Sequence, residues 1–88
     1  MANHKDAIKR NKQNERLRIR NRHYRTIMRN HIKAVRTAVD AGDADAAQKA
    51  FRAAVSTIQR TATKGIIHRN QAARRVSRLH KAVATLQS

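Results

Sequence analysis

The sequence predicts an all-α fold: a three-helix antiparallel bundle with an overlong, strongly basic first helix extending beyond the bundle. Three observations predict it. Apolar residues recur at steps of three and four in three separate stretches, the spacing that lines one face of an α-helix. Two glycines, Gly42 and Gly65, fall between those stretches, and the chain has no proline. Nothing alternates apolar and polar with period two over a useful length, so no strand is expected.

The first helix is expected over residues 5–41, with Tyr24, Met28, Ile32, Val35 and Val39 on its apolar face. The second is expected over 44–64, with Ala47, Phe51, Val55, Ile58 and Ala62. The third is expected over 68–86, with Ala72, Val76, Leu79, Val83 and Leu86. Phe51, Val55, Leu79 and Val83 should meet Ile32 and Val35 in one cluster. Tyr24 either closes that core or touches a partner's backbone. Each glycine suits a helix C-terminus, because it adopts the left-handed conformation without a Cβ clash. Asp43 or Asp45 can cap the second helix, with Gln48 three residues after Asp45. For the third helix Asn70 is the candidate cap. Short connections make the three helices antiparallel neighbours.

Length sets the asymmetry. At 1.5 Å per residue the first helix spans roughly 55 Å and the others roughly 30 Å each, so about 15 residues must overhang. The overhang, from Ala2 to about Asn21, carries only Ile8, Leu17 and Ile19 beyond alanine, and these form no stripe. The expected organisation is one domain over 1–88, with 1–21 a basic helical extension and 22–88 the bundle.

Leu, Ile, Val and Phe make up 16 of the 88 residues, just under the roughly 20% that, with high charge, warns of disorder. Without proline and with two glycines, the chain is helix-competent but short of core, as expected where a partner supplies stability. There are 21 Lys and Arg against 5 Asp and Glu, a net charge of +16. Such an excess needs a polyanion, and nucleic acid is the commonest one.

The charge is segregated. Residues 1–36 hold twelve basic and two acidic side chains, residues 37–58 two basic and three acidic, and residues 59–88 seven basic and no acidic. At about 100° per residue, Lys5, Lys9, Lys12, Arg16 and Arg20 form one stripe on the overhang, while Arg18, Arg22 and Arg10 project from other sides. A helix lying on a flat surface needs one basic face; one sunk among phosphates profits from charge all round. Further along, Arg22, Arg25, Arg29, Lys33 and Arg36 form a stripe beside the apolar one. On the third helix Arg74, Arg78 and Lys81 lie opposite Val76, Leu79 and Val83. A single basic stripe is usually a solvated face, but solvated faces mix signs and pair Glu with Lys, which these do not.

Other classes are disfavoured. Without cysteine there is no disulfide and no redox indication of compartment. No apolar run approaches the roughly 18 residues of a membrane helix, and the basic N-terminus lacks the apolar core of a secretory signal. An acid-poor, Arg-rich start fits a transit peptide, but Ser is absent there. An intracellular, soluble chain is the expectation. An amphipathic membrane binder would want bulky apolar residues where alanine dominates. No enzyme, cofactor or metal site is expected: His4, His23, His31, His68 and His80 never stand three or four apart as helical metal ligands do, and each suits a polar or phosphate contact. Lys64-Gly65 lacks the frame of a phosphate loop. The few acids sit where capping explains them. Only Tyr24 and Phe51 are aromatic, so bases cannot be stacked on any scale. Recognition should run through phosphate and sugar, with arginine forking onto phosphate and Asn3, Asn11, Asn14, Asn21, Asn30 and Asn70 adding amides.

Several segments resemble a known family. Met1-Ala2-Asn3-His4-Lys5-Asp6-Ala7-Ile8-Lys9-Arg10, Met28-Arg29 with Ile32-Lys33, Ala41-Gly42-Asp43 with Ala46-Ala47-Gln48-Lys49-Ala50-Phe51, and Lys64-Gly65-Ile66-Ile67-His68-Arg69-Asn70-Gln71-Ala72-Ala73-Arg74 are similar to the bacterial small-subunit ribosomal protein S20 family. The resemblance covers essentially the whole chain in order. It implies a three-helix bundle that binds small-subunit ribosomal RNA directly and early in assembly. It implies a place low on the subunit body, between the 5′ domain and the long penultimate RNA helix, with few or no protein contacts, no membrane and no small-molecule substrate. It further implies a cytoplasmic ribosome, bacterial or organellar in type. By the same resemblance Lys5, Lys9 and Arg10 thread between RNA helices, and Lys64, His68, Arg69, Asn70 and Arg74 face RNA. The chain departs from the family at His4 and at Asp6, which brings a negative charge toward phosphates; Asp6 can cap the first helix or pair with Lys9 or Arg10.

Charge and resemblance together give the expected RNA contacts. From the first helix and the residues before it they are Asn3, Lys5, Lys9, Arg10, Lys12, Arg16, Arg18, Arg20, Asn21, Arg22, Arg25, Arg29 and Lys33. From the second connection and the third helix they are Lys64, His68, Arg69, Asn70, Arg74, Arg75 and Arg78. The alternative is a histone-like DNA-binding protein, which shares charge and helices but would want a dimerisation surface or a flexible basic tail.

Overall fold

The computed structural model describes residues 4–87; Asn3, an expected RNA contact, lies outside them. Three helices follow in order, α1 (His4–Asp40), α2 (Ala44–Thr63) and α3 (Arg69–Gln87). Each boundary lies within one residue of the expected one, and there is no strand among the described residues.

Both glycines end helices as expected, with φ of 73° at Gly42 and 77° at Gly65. After α1 the Gly42 N–H donates to the Val39 carbonyl (3.0 Å) and the Asp43 N–H to the Ala38 carbonyl (3.1 Å). After α2 the Gly65 N–H donates to Ala62 (2.9 Å) and the Ile66 N–H to Thr61 (3.1 Å). These are two Schellman closures, which satisfy otherwise orphaned carbonyls. Asp43 then opens α2, its carboxylate accepting from the Ala46 N–H at 3.1 Å. Asp45 is left in the first turn, where its charge faces the positive end of the helix dipole.

The core is small. Met28 and Val35 from α1, Ala47, Ala54 and Ile58 from α2, and Ala72, Leu79 and Val83 from α3 are buried together with Ile67 from the second connection. Ile32, Val39, Phe51, Val76 and Leu86 are partly buried against them. The pairing of α1 with α2 is the most extensive of the three helix pairings. The two basic helices, α1 and α3, meet least.

One expectation about the core needs correction, and one buried residue was not expected. Val55 does not join the cluster; Ala54, one residue earlier on α2, is fully buried instead. The face of α2 that meets the bundle runs Ala47, Ala54, Ile58, Thr61, which places Val55 at its margin, half-buried. Thr61 is fully buried although it is polar. Its hydroxyl donates to the Thr57 carbonyl at 2.7 Å, so the buried group is satisfied and the side chain packs as a valine would.

The molecule is a rod, 65 × 21 × 14 Å. Residues 5–20 of α1 are exposed throughout, and Asn21 is the first to be partly covered. Ile8, Leu17 and Ile19 remain 51%, 48% and 60% exposed. This half of α1 makes no contact with the other helices and is held by its own backbone hydrogen bonds and one exposed side-chain pair, Arg18 with Glu15.

Leu79→Ala is expected to cost roughly 2–5 kcal/mol, the range for a buried leucine, and Val55→Ala roughly 1 kcal/mol or less; denaturant unfolding of both variants measures the difference, and equal costs would contradict the packing described. In the free protein, amides of residues 5–20 should exchange much faster than those of 28–39, because a helix without tertiary contacts is marginal in water. Equal protection along all of α1 would mean that its first half has a tertiary partner.

Candidate nucleic-acid interface

Arginine and lysine are distributed over the fold in three groups. On the free half of α1, Lys5, Lys9, Lys12 and Arg16 line one side with Ile8 and Gln13 between them. Arg10 lies on another side with Asp6, Asn11 and Asn14, and Arg18 and Arg20 are exposed beyond them. The basic surface therefore turns around the helix, as its residue spacing demands. Asp6 sits in the first turn of α1, where it favours the helix dipole, and it makes no ion pair among the described residues.

The second group is a shallow trough on the middle of α1, lined by Asn14, Leu17, Arg18, Asn21, Arg22, Arg25, Thr26 and Arg29. At its base the Asn21 Oδ1 is buried without a hydrogen-bond partner. Lys33 continues this side, exposed. Arg25 has a second role that its position on the stripe does not reveal. Its Nη2 donates to the Ile66 carbonyl at 3.3 Å, tying the second connection to α1. Beside it the Lys64 Nζ lies 5.0 Å from the centroid of the Tyr24 ring, a cation–π contact, and the His23 ring meets the Tyr24 edge at 5.7 Å. Tyr24 thus works as a platform for Lys64 and does not enter the core cluster.

The third group is on α3. Arg69, Asn70, Arg74 and Arg78 are exposed and Arg75 is half-buried. Arg74, Arg75 and Arg78 do not stand alone: Arg36 of α1 faces them across a cleft floored by Ile32 and Leu79. Arg36 is not among the contacts expected from the sequence. Its membership of the Arg22–Arg25–Arg29–Lys33 stripe is the signal that could have found it. By contrast Lys49 and Arg52 of α2 are exposed and stand apart from all three groups.

Two histidines do something other than offer a polar contact. His68 precedes α3 and caps it: its Nδ1 accepts from the Asn70 N–H at 3.1 Å, and its carbonyl accepts from the Ala72 N–H at 3.1 Å. The expected cap, Asn70, is instead a residue of the first turn whose backbone is being capped. His80 packs against Phe51, ring centroids 5.9 Å apart, joining α3 to α2. Among the described residues no group of three or more His, Cys, Asp or Glu could hold a metal, and no helix is long and apolar enough to cross a membrane.

Among the described residues one ion pair, Arg18 to Glu15 at 2.8 Å, is the only internal answer to this charge. Both partners are well exposed, so the pair contributes little. The remaining cations have no protein counter-charge among the described residues, and most of them are exposed. Such a surface suits a polyanion met along several directions.

Comparison with known proteins finds a sequence family described as Ribosomal protein S20 whose profile matches residues 2–84. The chain is 55% identical over 86 residues to the small ribosomal subunit protein bS20 of Geobacter metallireducens, covering 98% of this chain and 99% of that one. It is 52% identical over 86 residues to the bS20 protein of Trichlorobacter lovleyi, with the same coverage. With the bS20 protein of Nitratidesulfovibrio vulgaris it shares 49% identity over 87 residues, covering 99% and 100% of the two chains.

The His68 cap is testable in isolation from any partner. His68→Ala should lower stability by about 0.5–1 kcal/mol, the lower part of the range for removal of a cap, and His68→Asn should restore it, since its amide oxygen can accept the same N–H. Thermal unfolding of the three proteins measures this; an alanine variant as stable as the parent would remove the cap's significance.

Proposed function

Because the chain belongs to the ribosomal protein S20 family, we propose that it is a structural, non-enzymatic constituent of the bacterial small ribosomal subunit, working in the cytoplasm, that binds small-subunit ribosomal RNA directly and stabilises its fold during assembly. The observation that carries this reading is the set of cations left without counter-charges on α1 and α3, against a single exposed ion pair among the described residues. Phosphates would supply what the protein lacks. The free half of α1, basic on most sides, would lie between RNA strands, with Lys5, Lys9, Arg10, Lys12, Arg16, Arg18 and Arg20 reaching phosphates in different directions. Arg22, Arg29 and Lys33 would continue along α1, and Lys64, Arg69 and Arg74 would hold a second RNA segment near the start of α3.

Division of labour follows from this. Residues 1–21 serve as an RNA-embedded extension and 22–88 as the body that orients it. By family resemblance the RNA elements are the 5′ domain and the long penultimate helix. The near-neutral α2 faces away from phosphate, consistent with its acids at the helix start repelling it.

Filter binding to small-subunit ribosomal RNA over a salt series tests the reading. Neutralising Lys5, Lys9, Arg10 and Lys12 to Gln together should weaken binding and flatten its salt dependence, the slope falling by about 0.7–0.9 for each phosphate that is no longer engaged. Lys49→Gln with Arg52→Gln should change little. If the α2 pair mattered as much, charge segregation would be the wrong guide to the RNA face. Binding to duplex DNA of equal length as tight as to the RNA, at equal salt, would favour a histone-like protein instead.

A further inference from the structure

We propose that the cleft between α1 and α3 is a phosphate pocket for the RNA backbone, in which Arg36 of α1 and Arg75 of α3 grip one phosphodiester group between them. This rests on the reading of the chain as an RNA-binding protein and names a specific seat within it. The cleft offers about 150 Å³, well above the roughly 10–15 Å³ that a single water needs, so a phosphate and some of its water fit. Its walls are Arg36, Arg74, Arg75 and Arg78, its floor Ile32 and Leu79, and Gln71 adds a neutral amide.

No carboxylate lines the cleft. None of the four guanidinium groups has an ion-pair partner among the described residues, and the Arg75 Nε is buried with no hydrogen-bond partner at all. That atom is closed to solvent in this arrangement, so an anion in the cleft would meet the outer guanidinium nitrogens of Arg75, which are neither buried nor paired. Four like charges converging from two helices repel unless an anion joins them. The ligand is therefore an anion with several acceptor oxygens, and guanidinium forks match the oxygens of phosphate in geometry as well as charge. The apolar floor strengthens the attraction by excluding water on one side.

Position along α1 selects a chain of phosphates over a lone anion. Arg29, in the trough, and Arg36, in the cleft, are seven residues apart, so they lie on the same side of α1 about 10 Å apart along its axis. A backbone following the trough past Lys33 would arrive at the cleft. Arg36 and Arg75 would then fix where the RNA leaves α1 and passes to α3.

Two measurements on the full chain test this, with Arg36→Gln and Arg75→Gln combined. Far-UV circular dichroism checks the fold; Arg36→Gln alone, at an exposed position, carries both measurements should the double variant unfold. In the first, thermal unfolding of the free protein is compared in sodium phosphate and sodium chloride at equal ionic strength. Phosphate should raise the midpoint of the parent and raise that of the variant distinctly less. An equal rise in both would place the anion elsewhere and overturn the pocket. In the second, filter binding to small-subunit ribosomal RNA is followed over salt. The variant should bind more weakly, with a slope lower by about 0.7–0.9 for the one phosphate released. Parental affinity and slope in the variant, while neutralising Lys5, Lys9, Arg10 and Lys12 weakens binding, would overturn the pocket and leave the RNA reading standing. A parent chain that fails to prefer the ribosomal RNA over duplex DNA would overturn the reading beneath it.

Discussion

Uncompensated positive charge governs how this molecule is built. Two like charges 4 Å apart repel by about 1 kcal/mol in water and about 4 kcal/mol at a protein surface, and this chain carries a net +16. The fold manages the repulsion by arrangement. The near-neutral α2 packs against both other helices, and its pairing with α1 is the most extensive in the molecule. The two basic helices touch least, and where they do approach, four arginines face one another across an open cleft. The first half of α1 is carried clear of the bundle altogether.

Such an arrangement leaves little apolar surface for cohesion, so local devices matter. Two Schellman turns reverse the chain within a few residues, and the Asp43 and His68 caps satisfy the helix starts that follow. Threonines return their hydroxyl protons to carbonyls four residues earlier, at Thr26, Thr37, Thr57, Thr61 and Thr63, which lets them sit in helices without orphaned groups. The second connection is also part of the interior. Ile66 and Ile67 are buried, and Arg25 and Tyr24 hold the same connection from outside through Ile66 and Lys64. The segment 64–74 therefore combines structural work with charge.

The expected RNA contacts divide along a physical line. Residues of the free half of α1 pack against no other helix, so their sequence spacing alone states which way they point. Where helices pack, spacing is not enough. Arg25 is spent partly on a backbone carbonyl, Arg75 is drawn half into the bundle, and Arg36 becomes part of a site formed by another helix. His68 and His80 look alike in sequence, as lone histidines among basic residues, yet one caps a helix and the other packs on Phe51.

Local rules are enough for the three helices, their ends to within a residue, the segregation of charge and the overhang of α1: each needs only a helical period, a glycine at a left-handed position or a count of residues. Segments spread along the whole chain likewise point to the family without any knowledge of the fold. Which side of each helix meets which neighbour is a matter of packing. Packing put Ala54 and Thr61 inside in place of Val55, brought Ile67 into the core from a connection with no period to read, and assembled Arg36 with Arg74, Arg75 and Arg78. Periodicity defines directions around a helix's own axis; only packing defines how that axis is rotated against another, and a site shared between two helices exists only once both rotations are set.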